Sequence, residues 1–307
     1  YMGITLYKNA DWILTVNEKR EKFRHGDLLI SGKEILDVGN DLEKKYVGKL
    51  QIDKTIDAKG TVILPGFVNV HHHTWQSLIR NIQATRGLKL EPWLTVMYEI
   101  YKDLNTDVAR AGVYSGLGDM LKTGCTTSND LWYPHPVGVK YLVDAEIQAA
   151  AEIGIRFHPT RGFHSVPSDI VPPEVVDTKE SVTEDTIRLV KKYHDRSRFS
   201  MCQVGIAPSI AQYETEDIIE AVGDLAEEYD IMVHGHLAES QHEVEYTLKT
   251  WGCRPFEWFK RHRLLGKRFY FAHCIHLNEE EIEQMAETET GVAHCPISNM
   301  LLSSGAC

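Results

Sequence analysis

The sequence predicts an α/β protein in which a parallel sheet of repeated strand–helix units follows a small β-sheet. Two textures along the chain and one exclusion carry this expectation. Residues 1–60 hold short β-branched and aromatic stretches between polar turns, whereas from residue 61 apolar runs alternate with helix-like stretches, as in βα units. The exclusion is compositional. With 307 residues, 43% hydrophobic and 25% charged, the chain is an ordinary globular one, long enough for one large domain or two.

In the first part, Ile4-Thr5-Leu6-Tyr7, Trp12-Ile13-Leu14-Thr15-Val16, Asp27-Leu28-Leu29-Ile30 and Glu34-Ile35-Leu36-Asp37-Val38 read as strands, punctuated by Ser31-Gly32 and Gly39-Asn40. This unit is too short to bury a large core alone. In the second part the candidate strands are 62–71, 125–131, 156–162, 201–207, 231–237, 268–274 and 290–295. Between them, Ile218, Ile219, Val222, Leu225 and Tyr229 share one face of a helix over 215–229. Ser181-x-x-Glu184 and Asn278-x-x-Glu281 have the form of capping boxes. Seven such strands are one short of a closed (β/α)₈ barrel. The chain stops at Ser303-Ser304-Gly305-Ala306-Cys307, so either the sheet is open or the chain is a fragment. The expected domains are 1–60 and 61–307.

Several function classes fall away. The net charge of −11 argues against a nucleic-acid partner. No run of about 18 apolar residues offers a membrane span, and no apolar signal core opens the chain. The six cysteines form no CxxC pair, and a cytoplasmic protein with reduced thiols is expected. Gly116-Leu117-Gly118 lacks the third glycine of a dinucleotide fingerprint, and the HxE…PCxxC deaminase signature is absent.

The chemistry concentrates at strand ends. In Pro65-Gly66-Phe67-Val68-Asn69-Val70-His71-His72-His73, residues two apart on a strand share a face, so His71 and His73 point together at one centre and His72 turns away. Two imidazoles on rigid backbone are half of a metal site; the bland alternative is a hydrogen-bonded polar strand end. In Val233-His234-Gly235-His236-Leu237-Ala238-Glu239, His236 ends a strand, His234 lies one layer deeper, and Glu239 follows in the turn. A carboxylate beside a metal-bound water can move its proton; otherwise Glu239 is a helix-start carboxylate near the dipole. Phe271-Ala272-His273-Cys274 and Val292-Ala293-His294-Cys295 end two further strands. One such histidine is usually a satisfied core residue, but four strand ends on the catalytic rim of a parallel barrel point to a metal site. Cys274 and Cys295 read as strand filling. His135, His158, His164 and His242 are individually uninformative.

The segments PGFVNVHHH, HLAE, AHC and AHCPISNM resemble the amidohydrolase superfamily, in its branch of mononuclear-metal aminohydrolases, over nearly the whole chain. Within it, His71-His72-His73-Thr74-Trp75-Gln76-Ser77, Gly124-Cys125-Thr126-Thr127, Arg161-Gly162-Phe163-His164-Ser165-Val166 and Lys192-Tyr193-His194-Asp195 are most similar to 8-oxoguanine deaminases. The resemblance implies a TIM-type (β/α)₈ barrel with a small N-terminal β-sandwich-like unit. It implies one divalent ion, zinc or iron, on His71, His73 and His236, with Glu239 and His273 as catalytic residues. It places Gln76, Trp93 and Arg161 toward a small heterocyclic substrate, an oxidised purine or pterin that loses ammonia. It also implies a strand-8 aspartate beyond Cys307, so the native protein is expected to continue. Asp130-Leu131-Trp132 stands where the family often has Asp-His, and Ser209-Ile210-Ala211-Gln212-Tyr213 replaces a Cys-Ser-Pro run. Triazine aminohydrolase or chlorohydrolase activity and a catalytically silent metal-binding barrel are the alternatives. A homo-oligomer is expected from the frequency of such assemblies.

Overall fold

The computed structural model describes residues 3–306. The chain divides into two compact units, Tyr1–Phe67 and Val68–Cys307.

The first unit is one mixed sheet. Strands β1 (Ile4–Leu14), β2 (Lys22–Ser31), β3 (Glu34–Gly39) and β4 (Lys54–Asp57) lie in the order β3-β2-β1-β4, and β5 (Val62–Ile63) also pairs with β1. The two strands expected at 4–7 and 12–16 are one strand. Its register against β2 slips between Tyr7 and Ala10, where Asn9 takes a φ of 62°. A bulge bends a strand without ending it, which sequence pattern alone reads as a break. The core of this unit is small: Leu6, Leu29 and Leu42 form one buried cluster and Ala10, Ile13 and Ala58 another.

The second unit holds a seven-stranded sheet in chain order: β6 (Phe67–Asn69), β7 (Cys125–Trp132), β8 (Arg156–Phe163), β9 (Gly205–Pro208), β10 (Val233–Leu237), β11 (Phe269–His273) and β12 (Gly291–Ala293). Neighbours from β7 to β12 pair in parallel, each reached through at least one helix. This is the TIM-barrel pattern with seven strands among the described residues. The candidate strand at 62–71 is split. Val62–Ile63 joins Trp12–Ile13 in the first sheet, while Phe67–Asn69 belongs to the second. Pro65, which has no amide proton to give a ladder, stands between them with Gly66.

Helix Glu216–Tyr229 buries Ile218, Ile219, Val222 and Leu225 as its periodicity requires. The Asn278–Glu281 capping box is complete at the head of helix Glu279–Thr288. The box expected at Ser181 is not formed, because that helix starts earlier, at Lys179, under a Thr178 cap. Central strands are buried on both sides, so they read as near-continuous apolar runs packed with Phe157, Ile206, Val233 and Phe271. Gly235 in β10 is required: a Cβ there would lie 2.6 Å from the Pro208 carbonyl oxygen. None of Cys125, Cys202, Cys253, Cys274 and Cys295 forms a disulfide. Among the described residues no helix is long and apolar enough to cross a membrane.

Candidate active site

The strand ends of the second unit converge on a cavity of about 550 Å³. His71, His73, His236, His273, Glu239, Gln76 and Trp93 all line it. β6 ends at Asn69, so His71 and His73 sit in the extended segment just beyond it rather than on the ladder. Their ring centroids are 4.7 Å apart, and each lies within 5.3 Å of the His236 ring. Ligand atoms of His71, His236 and His273 all fall within 4.8 Å of one another.

Hydrogen bonding fixes the tautomers. His73 Nδ1 is 2.7 Å from the Leu131 carbonyl, and His236 Nδ1 is 2.6 Å from that of Ser209. A carbonyl only accepts, so each Nδ1 carries the proton and each Nε2 presents a lone pair. Those two Nε2 atoms face each other at 3.3 Å. His71 is set through a relay. His234 Nδ1 donates to the Tyr270 carbonyl at 3.0 Å, so His234 Nε2 accepts from His71 Nδ1 at 2.7 Å and leaves His71 Nε2 as a lone pair. Burial and the neighbouring imidazoles push His71 and His73 well below the ordinary histidine value. Burial pushes His236 down to about 3. Three neutral imidazoles with lone pairs turned inward repel one another unless a cation lies between them. The donor set therefore fits a divalent metal bound by imidazole, with hydrogen bonds behind the ligands.

Glu239 is buried, and desolvation raises its carboxyl above the ordinary glutamate value. Its Oε1 lies 3.5 Å from His273 Nε2, and His273 Nδ1 is 2.8 Å from Asn299 Oδ1. Aromatic walls come from Trp93, Tyr98 and Tyr133. Gln76 donates to the Tyr101 hydroxyl at 3.0 Å.

Arg161 corrects its expectation. It is outside the cavity lining, only 2% exposed, with its guanidinium bidentate to Asp177 at 2.9 and 3.0 Å and also bonded to Asp185. Those carboxylates and the Gly162 carbonyl take four of its five N–H donors. His164, unassigned from sequence, lines the cavity one residue past β8 and bonds the Tyr98 hydroxyl. Its place at a strand end was the available signal. Tyr133, Tyr98 and Asn299 carried none, because tyrosines and an asparagine are common in cores and caps. His294 also lines the cavity but is exposed.

Residues 62–307 match the amidohydrolase family. The chain is 35% identical to an 8-oxoguanine deaminase of Pseudomonas aeruginosa over 82% of its own length and 57% of that protein's. It is 28% identical to a hydroxydechloroatrazine ethylaminohydrolase of Pseudomonas sp. (strain ADP) over 99% of this chain and 65% of that one. Among solved structures, an atrazine chlorohydrolase of Arthrobacter aurescens TC1 complexed with zinc superposes with a TM-score of 0.89 at 24% identity, over 97% of this chain and 67% of that one. The chain thus spans well under two thirds of the deaminase's length.

Proposed function

From the premise that this chain belongs to the amidohydrolase family, we propose that the protein hydrolytically deaminates an aromatic N-heterocycle, with 8-oxoguanine or a related oxidised purine or pterin as substrate. The observation that carries the reading is the set of tautomer-locked imidazoles opposite a buried Glu239 in an aromatic-walled cavity.

His71, His73 and His236 would hold one divalent ion, zinc or iron. When bound, such an ion makes a water acidic enough to ionise near neutral pH. His273, whose Nδ1 lies 2.8 Å from Asn299 Oδ1, would hydrogen-bond and orient that water. Glu239 keeps its proton to higher pH than an exposed glutamate and gives it to the ring nitrogen beside the amine-bearing carbon. The C–O bond forms and the C–N bond breaks; of the two protons of the consumed water, one restores Glu239 and the other passes to the amine, which leaves as ammonia, so that the ring carbon keeps a carbonyl and the ring nitrogen a hydrogen. Trp93, Tyr98 and Tyr133 offer faces for a flat ring, and Gln76 offers a polar edge. The free thiols of Cys125, Cys202 and Cys253 suit a cytoplasmic setting.

The similarity, over 99% of this chain and 65% of that one, to a protein named as an ethylaminohydrolase favours a second reading, release of an alkylamine or chloride from a triazine by the same residues. Ammonia release by the full-length protein is to be measured against 8-oxoguanine, guanine, isoxanthopterin, isocytosine, S-adenosylhomocysteine and a hydroxytriazine. Turnover of one oxidised purine or pterin, lost in Glu239→Gln with metal retained, is expected. Undiminished turnover in that variant overturns the role of Glu239, and ethylamine or chloride as sole product selects the second reading.

A further inference from the structure

Two helices of the second unit begin with the same spacing, a cap residue followed three positions later by glutamate. At Asn278 the arrangement closes on itself: Asn278 Oδ1 accepts from the Glu281 amide at 2.9 Å, and Glu281 Oε2 accepts from the Asn278 amide at 2.9 Å. At Ser240 only half of it forms. Ser240 Oγ accepts from the Glu243 amide at 3.2 Å, but Glu243 Oε2 reaches one residue further and takes the Glu239 amide at 2.9 Å.

We infer that Glu243 is a positioning residue for Glu239, a capping carboxyl displaced by one residue so that it holds the backbone from which the acid projects. The inference rests on the proposed role of Glu239.

Three observations support it. The turn is strained where the clamp acts, because Ala238 sits at a φ of 48°, a left-handed conformation that costs a side-chain-bearing residue energy and persists only under constraint. Glu243 is fully buried, and its Oε1 finds no hydrogen-bond partner. A group retained for stability alone would be satisfied, as Glu281 is by Arg254 at 2.7 Å. The charged neighbours that act on Glu243 are Glu239 and Glu91, both acids, and burial lifts its carboxyl to about 8. Nothing in that setting rewards a carboxyl except the amide it accepts.

The displaced bond has a geometric consequence. Glu239 Oε1 stands 3.5 Å from His273 Nε2. Releasing the Glu239 amide lets Ala238 relax toward an ordinary conformation and swings the acid off the reacting nitrogen. A misplacement of about 1 Å can cost roughly 100-fold in rate. Gln, which keeps an accepting oxygen on the same stem, restores the clamp; Ala does not.

The test uses the metal-loaded full-length protein with Glu239→Gln, Glu243→Ala and Glu243→Gln. Each is assayed for metal content, kcat and KM on the substrate found above, and deuterium uptake of the peptide spanning Leu237–Glu243. Glu243→Ala is expected to lower kcat by about 100-fold, with KM and metal content held and uptake at the turn raised. Glu243→Gln is expected to recover kcat and protection together. Equal loss in Ala and Gln, wild-type kcat in Ala, or loss of kcat only in step with lost metal each overturns the inference. Failure of the underlying reading shows separately, as full turnover in Glu239→Gln, while the uptake measurement reports on the clamp whether or not Glu239 is the acid.

Discussion

The end of β6 and the end of β10 each supply histidines to the same cluster but hold them by different means. β10 is an interior strand, paired on both sides, and all five of its residues are buried. His234 and His236 lie within it and inherit their positions from the ladder. β6 is the three-residue edge of the sheet, and His71 and His73 lie beyond its last residue. They are held by local bonds instead, one between backbone groups and two to buried carboxylates. The Leu131 amide donates to the His72 carbonyl at 2.9 Å. The Thr74 amide donates to Asp130 Oδ1, and the Thr74 hydroxyl to Glu146 Oε1, each at 2.5 Å. Asp130 and Glu146 are fully buried, and burial raises both carboxyls. An edge strand needs local anchors to reach the precision that pairing gives an interior one.

The largest expected effects separate ligands from their companions. His73→Ala and His236→Ala are expected to lose tightly held zinc and all measurable turnover. His273→Ala is expected to keep the metal and lose turnover. Elemental analysis after gel filtration, beside the ammonia assay, decides this. If His273→Ala loses metal while His73→Ala retains it, the ion is held by the His71, His236 and His273 set, and the edge segment contributes one ligand rather than two.

A smaller effect tests the anchors. Asp130→Asn and Thr74→Val are expected to weaken metal affinity by about 10–100-fold, the usual cost of losing a group behind a ligand. A conservative change within the β10 ladder, Leu237→Met, is expected to leave it nearly unchanged, because pairing on both sides persists. Competition with a chelator reads both. Equal loss at the two strand ends would remove the distinction between them.

Much of this was legible in the residues because it depends on period and position. The interior strands announce themselves as apolar runs, and histidines two apart at strand ends point one way. Legibility failed where tertiary pairing decides. The Tyr7–Ala10 bulge joins two apparent strands, and Val62–Ile63 leaves its sequence neighbours for β1. Arg161 could face a substrate as well as an ion pair by type, and only Asp177 and Asp185, 16 and 24 residues on, settle it. Glu243 is not singled out in the sequence at all. Its reach past Ser240 depends on Ala238 turning left-handed, which no propensity for alanine suggests.

The smallest effect is a pH dependence that follows from that same glutamate. Glu243 ionises near 4.5 in an unfolded chain and at about 8 when folded. A carboxyl with a raised folded value favours folding through its bound proton. That contribution is complete below about 4.5 and is lost as pH rises through about 8. Between pH 7 and 9 the loss is about 1 kcal/mol, one unit of proton affinity being worth about 1.4 kcal/mol. Glutamine has no proton to lose there. The stability difference between wild type and Glu243→Gln, measured by urea unfolding without metal, should therefore move by about 1 kcal/mol in favour of the variant from pH 7 to 9. Taking the difference cancels the other groups that titrate in this window. A flat difference would mean that the Glu239 amide holds Glu243 as an anion through neutrality. The β10 turn would then be fixed by a buried charge, and the contrast with the Asp130–Glu146 anchor would be sharper than hydrogen bonding alone makes it.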